Sequence, residues 1–441
     1  MRALGLLIVA AAMLMPGVWF ADIAARHDSI AAFSQYLGCT ALIAMSFCQI
    51  FATRIKGLES VFGGMDRIYV LHKWLGIVAM VLIVLHDTID AQMDGLGRET
   101  VVTEIAETLG EFSLYGLLIL ATLSIATFVP YHLWKYTHKA MGGFFACATL
   151  HYLFIQKPFA VGDPLGIYIS VFCLVGVLAY AYTLLPVSEF RNWRRYVVAE
   201  VKETGGALAI VLKPVGSGFA HRPGQFAFLK FGVPGHREVH PFTISKAQTS
   251  DRALRFTIKR LGDFTDGLAE VIEPGATAKV SGPFGHFRYS ERGLEQVWIA
   301  SGVGITPFVA WAQALPETAG HVHLFYSVRR RDAAPHLNEL EAIAGGKPNL
   351  TLHLVETAVE GRLSGARIAD VVTSDRRKVA VAFCGPKPMR ESFRQQLKAA
   401  GFAAGNFQYE EFEIRSGIGL RKFAAWVLSR FGWSEPLFAE R

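Results

Sequence analysis

Two hydrophobic rhythms divide the chain. Up to about residue 185 the apolar residues run in long blocks, and beyond about Arg191 they come in short alternating runs separated by turn residues. Six blocks stand out, near 3–20, 30–52, 68–86, 112–129, 136–156 and 165–185. At about 1.5 Å per residue each reaches across a hydrocarbon layer of roughly 30 Å, the shorter ones tightly. The pattern predicts a six-helix transmembrane bundle. The opening MRALGLL also reads as the basic and apolar parts of a signal peptide. Trp19-Phe20 suits an interfacial belt and no clean A-x-A site follows, so a retained first span is the preferred reading.

The second rhythm changes character once. YVVAEVKE, ALAIVLKPV, GQFAFLKF, LRFTIKRL and TAKVSGPF are short, regularly spaced strands, which predict a small antiparallel β-barrel. After about Leu294, QVWIASG, HVHLFYS, NLTLHLV and KVAVAFCG alternate with helical stretches, which predicts an α/β unit on a parallel sheet. The expected boundaries are 1–188 for the bundle, 189–292 for the barrel, 293–412 for the parallel sheet and 413–441 for a basic amphipathic tail. Such a tail suits a membrane surface or a cap on the preceding unit.

Composition adds sidedness. Apolar residues make up 52% of the 441 and charged ones 18%, against roughly 25% charged in soluble domains. The net charge of +7 is spread along the chain, which argues against a nucleic-acid partner. Cys39, Cys48, Cys147, Cys173 and Cys384 form no CxxC pair, which argues against zinc or iron–sulfur sites. Four of them lie in apolar blocks, which argues against a disulfide framework. Arg54, Lys56 and Arg67, then Lys135 and Lys139, then Arg191, Arg194 and Arg195 fall on one side of the bundle. The other side has Arg26, Arg98 and Lys157, with an acidic loop of Asp87, Asp90, Asp94, Glu99, Glu104, Glu107 and Glu111. This bias places both termini and the second half of the chain in the cytoplasm, under an inner membrane.

Ionisable residues inside apolar helices are costly and carry function by default. His72 and His86 lie in the third block, His138 and His151 in the fifth. Both blocks run outward, so His72 and His138 share the inner level and His86 and His151 the outer. The first pair is 14 residues apart (86 − 72), about 21 Å of rise and close to four turns, so both face one way. The second is 13 apart (151 − 138), which calls for a local distortion, for instance near Gly142-Gly143. Two pairs at matched depths predict axial ligands for two haems b stacked across the membrane. The glycines in HKWLG and HKAMGG would let a macrocycle approach the backbone. His132, after Pro130, has no partner at its depth and reads as interfacial. A proton relay would want intramembrane Asp, Glu or Arg, which are missing.

In the parallel-sheet half Gly302-Val303-Gly304-Ile305-Thr306-Pro307 follows the strand QVWIA. Its glycines permit a tight turn at a helix N-terminus, where N–H groups and the dipole hold a pyrophosphate. A plain strand–helix turn has the same look. In order, however, PGQF, HPFT, GDFT, GPFG, GVGITP and CGP are similar to the ferredoxin–NADP reductase superfamily. HPFT on a barrel joined to six helices with paired histidines resembles the ferric reductase and NADPH oxidase family. A compact prokaryotic member is the nearest in kind, since no EF-hand precedes the helices.

The resemblance implies FAD on the barrel. Phe242 would stack on the isoalloxazine, Thr243 would bond near its reactive nitrogen, and His240 and Pro241 would complete the motif toward the phosphates. Lys259, Arg260, Gly262 and Thr265 would meet the pyrophosphate. It implies NAD(P)H on the parallel sheet, with Gly302, Gly304, Thr306 and Pro307 at its phosphates and Cys384 and Gly385 beside the nicotinamide. Arg329 and Arg330 would hold a 2′-phosphate and favour NADPH, and a solvated basic loop explains them equally. Glu410-Glu411-Phe412 resembles the terminal acid–aromatic motif whose aromatic covers the flavin, but here 29 residues follow it (441 − 412). Thr243, Cys384 and Phe412 are the residues expected at the reacting atoms. The implied activity runs from NAD(P)H through FAD and two haems to chelated ferric iron, or to dioxygen giving superoxide. Two other readings stay open: a haem subunit serving a quinone or a periplasmic redox partner docked on the acidic loop, and a membrane-anchored flavin reductase without haem.

Overall fold

The computed structural model describes residues 2–55, 57–89, 93, 96, 100–125, 129, 131–185, 193–261, 263–290 and 295–410. Two compact units meet in sequence between Val187 and Ser188.

The first unit is helical. α1 (Ala3–Leu14) and α2 (Pro16–Arg26) form one apolar stretch broken at Met15, because Pro16 has no N–H to continue the ladder. There follow α3 (Ser29–Ala52), the short α4 (Leu58–Phe62), α5 (Met65–Thr88), α6 (Val101–Ile125), α7 (Tyr131–Phe154) and α8 (Pro164–Leu184). Among the described residues five stretches are long and apolar enough to cross a membrane: Ala3–Arg26, Ser29–Ala52, Met65–Thr88, Val101–Ile125 and Pro164–Leu184. The expected six spans are six by length only. α7 has 24 residues but carries Lys135, His138, Lys139 and His151, which lower its apolarity.

α6 starts 11 residues before the predicted 112 (112 − 101). Glu104, Glu107 and Glu111, expected in an outer loop, therefore lie on this helix and are exposed, while Thr103, Ala106, Ser113, Leu114 and Leu117 are buried. Helical periodicity keeps the carboxylates off the packed face, which is why the acidic run did not stop the helix. α3 packs against α5 and α8, and α6 against α7. Gly110, Ser113 and Gly116 recur every three residues on the α6 side. Ser113 Oγ donates to the Phe144 carbonyl at 2.8 Å, and a Cβ on Gly116 would lie 2.0 Å from the Phe144 ring. Such small residues let helices approach closely without a hydrophobic driving force.

The second unit opens with β1 (Trp193–Thr204), β2 (Ala207–Pro214), β3 (Phe226–Phe231), β4 (His240–Thr243), β5 (Leu254–Lys259) and β6 (Thr277–Phe284). They form an antiparallel sheet in the order β4-β3-β6-β1-β2-β5. It curls as a half-barrel around Ile210, Leu229, Phe256 and Val280, and Ile244, just after β4, pairs with Phe256 at the far end of the order. Short α9 (Asp263–Asp266) and α10 (Leu268–Val271) follow β5.

Next come β7 (Gln296–Ser301), α11 (Thr306–Ala314), β8 (Val322–Val328), α12 (Leu337–Gly346), β9 (Leu350–Glu356), α13 (Gly365–Val371), β10 (Ala380–Cys384), α14 (Lys387–Ala399) and β11 (Phe407–Tyr409). The strands are parallel in the order β11-β10-β7-β8-β9. β8 is buried at every position, as a strand covered on both faces must be. β11, three residues long, is too short to show a rhythm and was not predicted. The strand order reverses between β7 and β10, and the crevice at their carboxyl ends is where open α/β sheets bind ligands.

Candidate functional site

The four predicted histidines share one bonding pattern. His72 Nδ1 lies 3.1 Å from the Cys48 carbonyl and His86 Nδ1 2.9 Å from the Ser34 carbonyl, both on α3. His151 Nδ1 lies 2.8 Å from the Ala106 carbonyl and His138 Nδ1 3.0 Å from Ser124 Oγ, both on α6. A carbonyl only accepts, so His72, His86 and His151 carry their proton on Nδ1. Ser124 gives its one proton to the Leu120 carbonyl at 2.7 Å, so its oxygen accepts from His138 as well. In each ring Nε2 is then the lone-pair nitrogen, the arrangement of a metal-ligating imidazole held from behind.

Glycines make room for these rings. A Cβ on Gly38 of α3 would lie 3.1 Å from His86, and one on Gly110 of α6 would lie 2.6 Å from His151 Nδ1. The His72 and His138 ring centres are 5.9 Å apart. Two imidazoles sharing one iron, at about 2 Å per metal–nitrogen bond, stand roughly 6 Å apart between centres, so this pair fits bis-histidine ligation of a haem. Among the described residues no cluster of three or more His, Cys, Asp and Glu side chains offers a metal site of its own. A Cβ on Gly76 would meet nothing within 4 Å, and one on Gly143 would meet the Tyr180 hydroxyl at 3.9 Å. Gly142 is tighter: a Cβ there would meet the Tyr180 ring at 2.1 Å, so this glycine admits α8. α7 is helical throughout, across Gly142-Gly143, and brings both rings to α6.

In the second unit HPFT is β4. Thr243 is buried and pairs with Phe226 of β3, Phe242 is half-buried and Pro241 exposed. His240 Nε2 lies 3.2 Å from Glu238 Oε2, and its ring centre is 4.0 Å from that of Phe264. Phe242 and Phe264 are nearly parallel at 6.5 Å. Phe264 thus joins HPFT to GDFT. Thr265 Oγ1 accepts from the Leu261 N–H at 2.7 Å, and Lys259 and Arg260 are exposed beside it. Gly262, Glu411, Phe412 and the 413–441 tail lie outside the described residues, as does the side chain of His132.

At the carboxyl ends of β7 and β10 two motifs interlock. Gly302 has φ +52°, the left-handed conformation that favours glycine. A Cβ on Gly304 would sit 2.3 Å from the Cys384 carbonyl, and one on Gly385 3.0 Å from Ser301 Cβ. Thr306 and Pro307 open α11, where proline fits the first turn. Cys384 is buried. Burial, then the Glu410 carboxylate, push its thiol well above the usual range, so it is neutral at pH 7. Glu410 reaches Gly285 of GPFG, its Oε1 3.1 Å from where a Cβ would stand. Of the arginines expected at a 2′-phosphate, Arg330 pairs with Asp332 at 3.2 Å and Arg329 is exposed.

Three family models match in the order of these elements. They are a ferric reductase like transmembrane component over residues 37–149, an FAD-binding domain over 198–293 and an oxidoreductase NAD-binding domain over 298–395. The chain has the three-part build of the ferric reductase and NADPH oxidase family. It is similar to a flavohemoprotein of Burkholderia sp. (strain TH2), 28% identical over 243 residues, 52% of this chain and 61% of that protein. It is similar to the toluate 1,2-dioxygenase electron transfer component of Pseudomonas putida, 27% identical over 223 residues, 49% of this chain and 65% of that protein. Each alignment spans less than two thirds of the relative's own length. A solved flavohemoglobin from Malassezia yamatoensis superposes with a TM-score of 0.48 at 15% identity, covering 87% of this chain and 96% of that one.

Within this ferric reductase-like build, sequence reasoning missed two sets of residues. The first is Ser34, Ser124, Gly38 and Gly110, which face the histidines from α3 and α6. Their only signal is a small residue opposite each ring, invisible until the helices are paired. The second is a polar chain in the dehydrogenase. His336 Nδ1 donates to Glu339 Oε2 at 3.1 Å, and its Nε2 accepts from Thr257 at 2.7 Å, whose oxygen lies 2.8 Å from Ser245 Oγ. Arg255 donates to both Glu339 oxygens, at 2.9 and 3.2 Å, and Gln313 donates to one of them. Burial alone would raise the Glu339 pKa, but the bonds from His336 and Arg255 outweigh it and hold it at about 2. The chain runs from Ser245, two residues past Thr243, to Gln313 on α11, so it ties the barrel to the helix behind GVGITP.

Proposed function

We propose that the protein is a transmembrane NAD(P)H oxidoreductase of the cytoplasmic membrane, with both termini and the dehydrogenase inside. Electrons would pass from NAD(P)H through FAD and two bis-histidine haems b to an acceptor outside. The observation that supports this most is the set of four imidazoles, each with an oxygen within 3.1 Å of Nδ1 and two of them 5.9 Å apart. When bound, FAD would convert a hydride into single electrons and haem would relay them. His72 and His138 would hold the inner haem, His86 and His151 the outer. With two imidazoles holding each iron, the acceptor, chelated ferric iron or dioxygen, would be kept off the metal.

In the dehydrogenase the GVGITP turn and the first turn of α11 would receive the dinucleotide phosphates. The neutral thiol of Cys384 would lie beside the nicotinamide without adding charge. Phe242, Thr243, His240 and Phe264 would shape the flavin site, with Lys259 and Thr265 toward its phosphates and Phe412 as its cover. Arg329 and Arg330 are the residues that would favour NADPH. A second reading, a haem subunit serving a quinone or a periplasmic redox protein, draws on the exposed carboxylates of Glu104, Glu107 and Glu111 on α6.

The test is an anaerobic absorption spectrum of purified protein in detergent, before and after NADPH or NADH. Low-spin haem bands that reduce on addition of nucleotide are expected, and a protein coloured by flavin alone would sink the proposal. Superoxide production set against ferric-chelate reduction then separates the acceptors. Turnover that appears only with an added redox protein or quinone would favour the second reading.

A further inference from the structure

We propose that Ser124 and Ser34 are positioning residues that set the donor strength of one histidine at each haem level, Ser124 at the inner and Ser34 at the outer. The inference rests on the haem reading above. Ser124 Oγ donates to the Leu120 carbonyl at 2.7 Å and accepts from His138 Nδ1 at 3.0 Å. Ser34 Oγ donates to the His86 carbonyl at 2.9 Å and lies 2.9 Å from His86 Nδ1. In both cases the hydroxyl proton is committed to a carbonyl, which leaves the oxygen as an acceptor behind the ring.

An acceptor on Nδ1–H shifts electron density toward Nε2, strengthens the ligand and stabilises ferric iron, so it lowers the reduction potential. A carboxylate would do this more strongly, but inside an apolar helix its desolvation is costly. A serine that bonds back to the preceding turn needs no such expense.

The two serines are not equivalent. Removing the Ser34 hydroxyl leaves His86 Nδ1 with the Ser34 carbonyl at 2.9 Å. Removing the Ser124 hydroxyl takes away the oxygen 3.0 Å from His138 Nδ1. Trp134 adds to the inner clamp. Its Nε1 donates to the Ser124 carbonyl at 3.3 Å, and its ring stacks on His138 at 4.9 Å with planes 13° apart. Ser124 therefore fixes one nitrogen while Trp134 fixes the ring plane.

The experiment is a potentiometric titration of the full chain in detergent, read at the haem bands together with haem per polypeptide. Wild type, Ser124→Ala, Ser124→Thr and Ser34→Ala are compared. Two waves are expected in the wild type. Ser124→Ala moves one wave to higher potential, or loses that haem, and leaves the other in place. Ser124→Thr restores it, and Ser34→Ala moves the other wave upward by a smaller amount. The proposal is overturned if Ser124→Ala keeps both waves at their wild-type positions, if it loses both haems, if Ser124→Thr behaves like alanine, or if both serine variants move the same wave. A wild type without haem bands refutes the haem reading itself and is told apart at the first spectrum.

Discussion

The helical unit and the dehydrogenase build their candidate sites from different parts of the chain. Inside a helix the backbone N–H and C=O groups are already spent on the helix, and lipid offers no water to replace them. Side chains must therefore carry the site, and four imidazoles do so, with Cys48, Ser34 and Ala106 lending carbonyls that accept a second bond. In the dehydrogenase the site lies at strand ends, where turns free backbone groups. Gly302 supplies the left-handed residue and Gly304 the close approach. Function held by four side chains should fail one residue at a time and completely. Function shared among backbone groups should fail by degrees.

The sharpest break of that comparison is His138→Ala or His72→Ala. Either variant is expected to lose about half of the bound haem and essentially all electron transfer to an outer acceptor. Reduction of a soluble dye at the flavin should continue near the wild-type rate. Haem per polypeptide and both activities measure it. Equal loss of dye reduction would show that the two regions do not work separately.

In the dehydrogenase the counterpart is Gly304→Ala. Its methyl would enter the space of the Cys384 carbonyl, 2.3 Å away, and backbone there has little freedom to yield. Overpacking of this kind costs about 2 kcal/mol. A raised KM for NAD(P)H, with flavin content and the haem bands unchanged, is expected. A variant with wild-type KM would mean that the GVGITP–CGP contact does not shape the nucleotide site.

These two cases also explain what was legible in the sequence. His72, His86, His138 and His151 stand out because an apolar helix makes every polar side chain conspicuous. What surrounds them does not, since Gly38, Ser34, Gly110 and Ser124 are unremarkable until α3 meets α5 and α6 meets α7. The acidic run before residue 112 looks like a loop by charge alone, but its period keeps Glu104, Glu107 and Glu111 on the exposed face of α6. The dehydrogenase strands were legible because alternation and turn glycines set them. Their meaning came from the order of motifs, as any one short Gly-x-Gly fits many turns. The chain from Ser245 through Thr257, His336 and Glu339 to Arg255 was not legible at all, because its members are far apart in sequence and ordinary in type.

That chain gives the third test. Glu339→Ala would leave the Arg255 guanidinium, mostly buried, and His336 without the carboxylate that both now face. Breaking such a pair costs about 2 kcal/mol when one partner is partly exposed, as Glu339 is. The dehydrogenase should melt earlier, and flavin reduction by NAD(P)H should slow, because the barrel and α11 lose a shared anchor. Glu339→Gln keeps hydrogen bonds without the charge and should recover part of both. If alanine lowers the melting point but leaves flavin reduction untouched, the chain supports the fold only.

The smallest effect separates histidines that bind from histidines that merely pack. His353 on β9 stacks on Phe325 at 4.5 Å, and its Nε2 lies 3.2 Å from His323 Nδ1. Burial, then the neighbouring His323 and Arg367, lower its pKa from 6.5 to about 4. The folded ring is therefore neutral where the unfolded one is protonated. Its contribution to stability is complete above pH about 6.5 and is lost as pH falls toward 4. The ring is half-buried, so the loss is about 1 kcal/mol after solvent screening. Glu339 and Glu295 are both held at about 2 against an ordinary 4.5, and their contribution is lost as pH falls from 4.5 toward 2. Between pH 6.5 and 4.5 the buried histidines act without them, His323 and His336 shifting in the same direction as His353. Melting curves of the full chain, followed by flavin release at pH 7 and pH 5, should show a drop that His353→Gln reduces while the haem bands stay unchanged. An equal drop in the variant would place the acid sensitivity elsewhere. A change in the haem bands would show that the two sets of histidines are not independent.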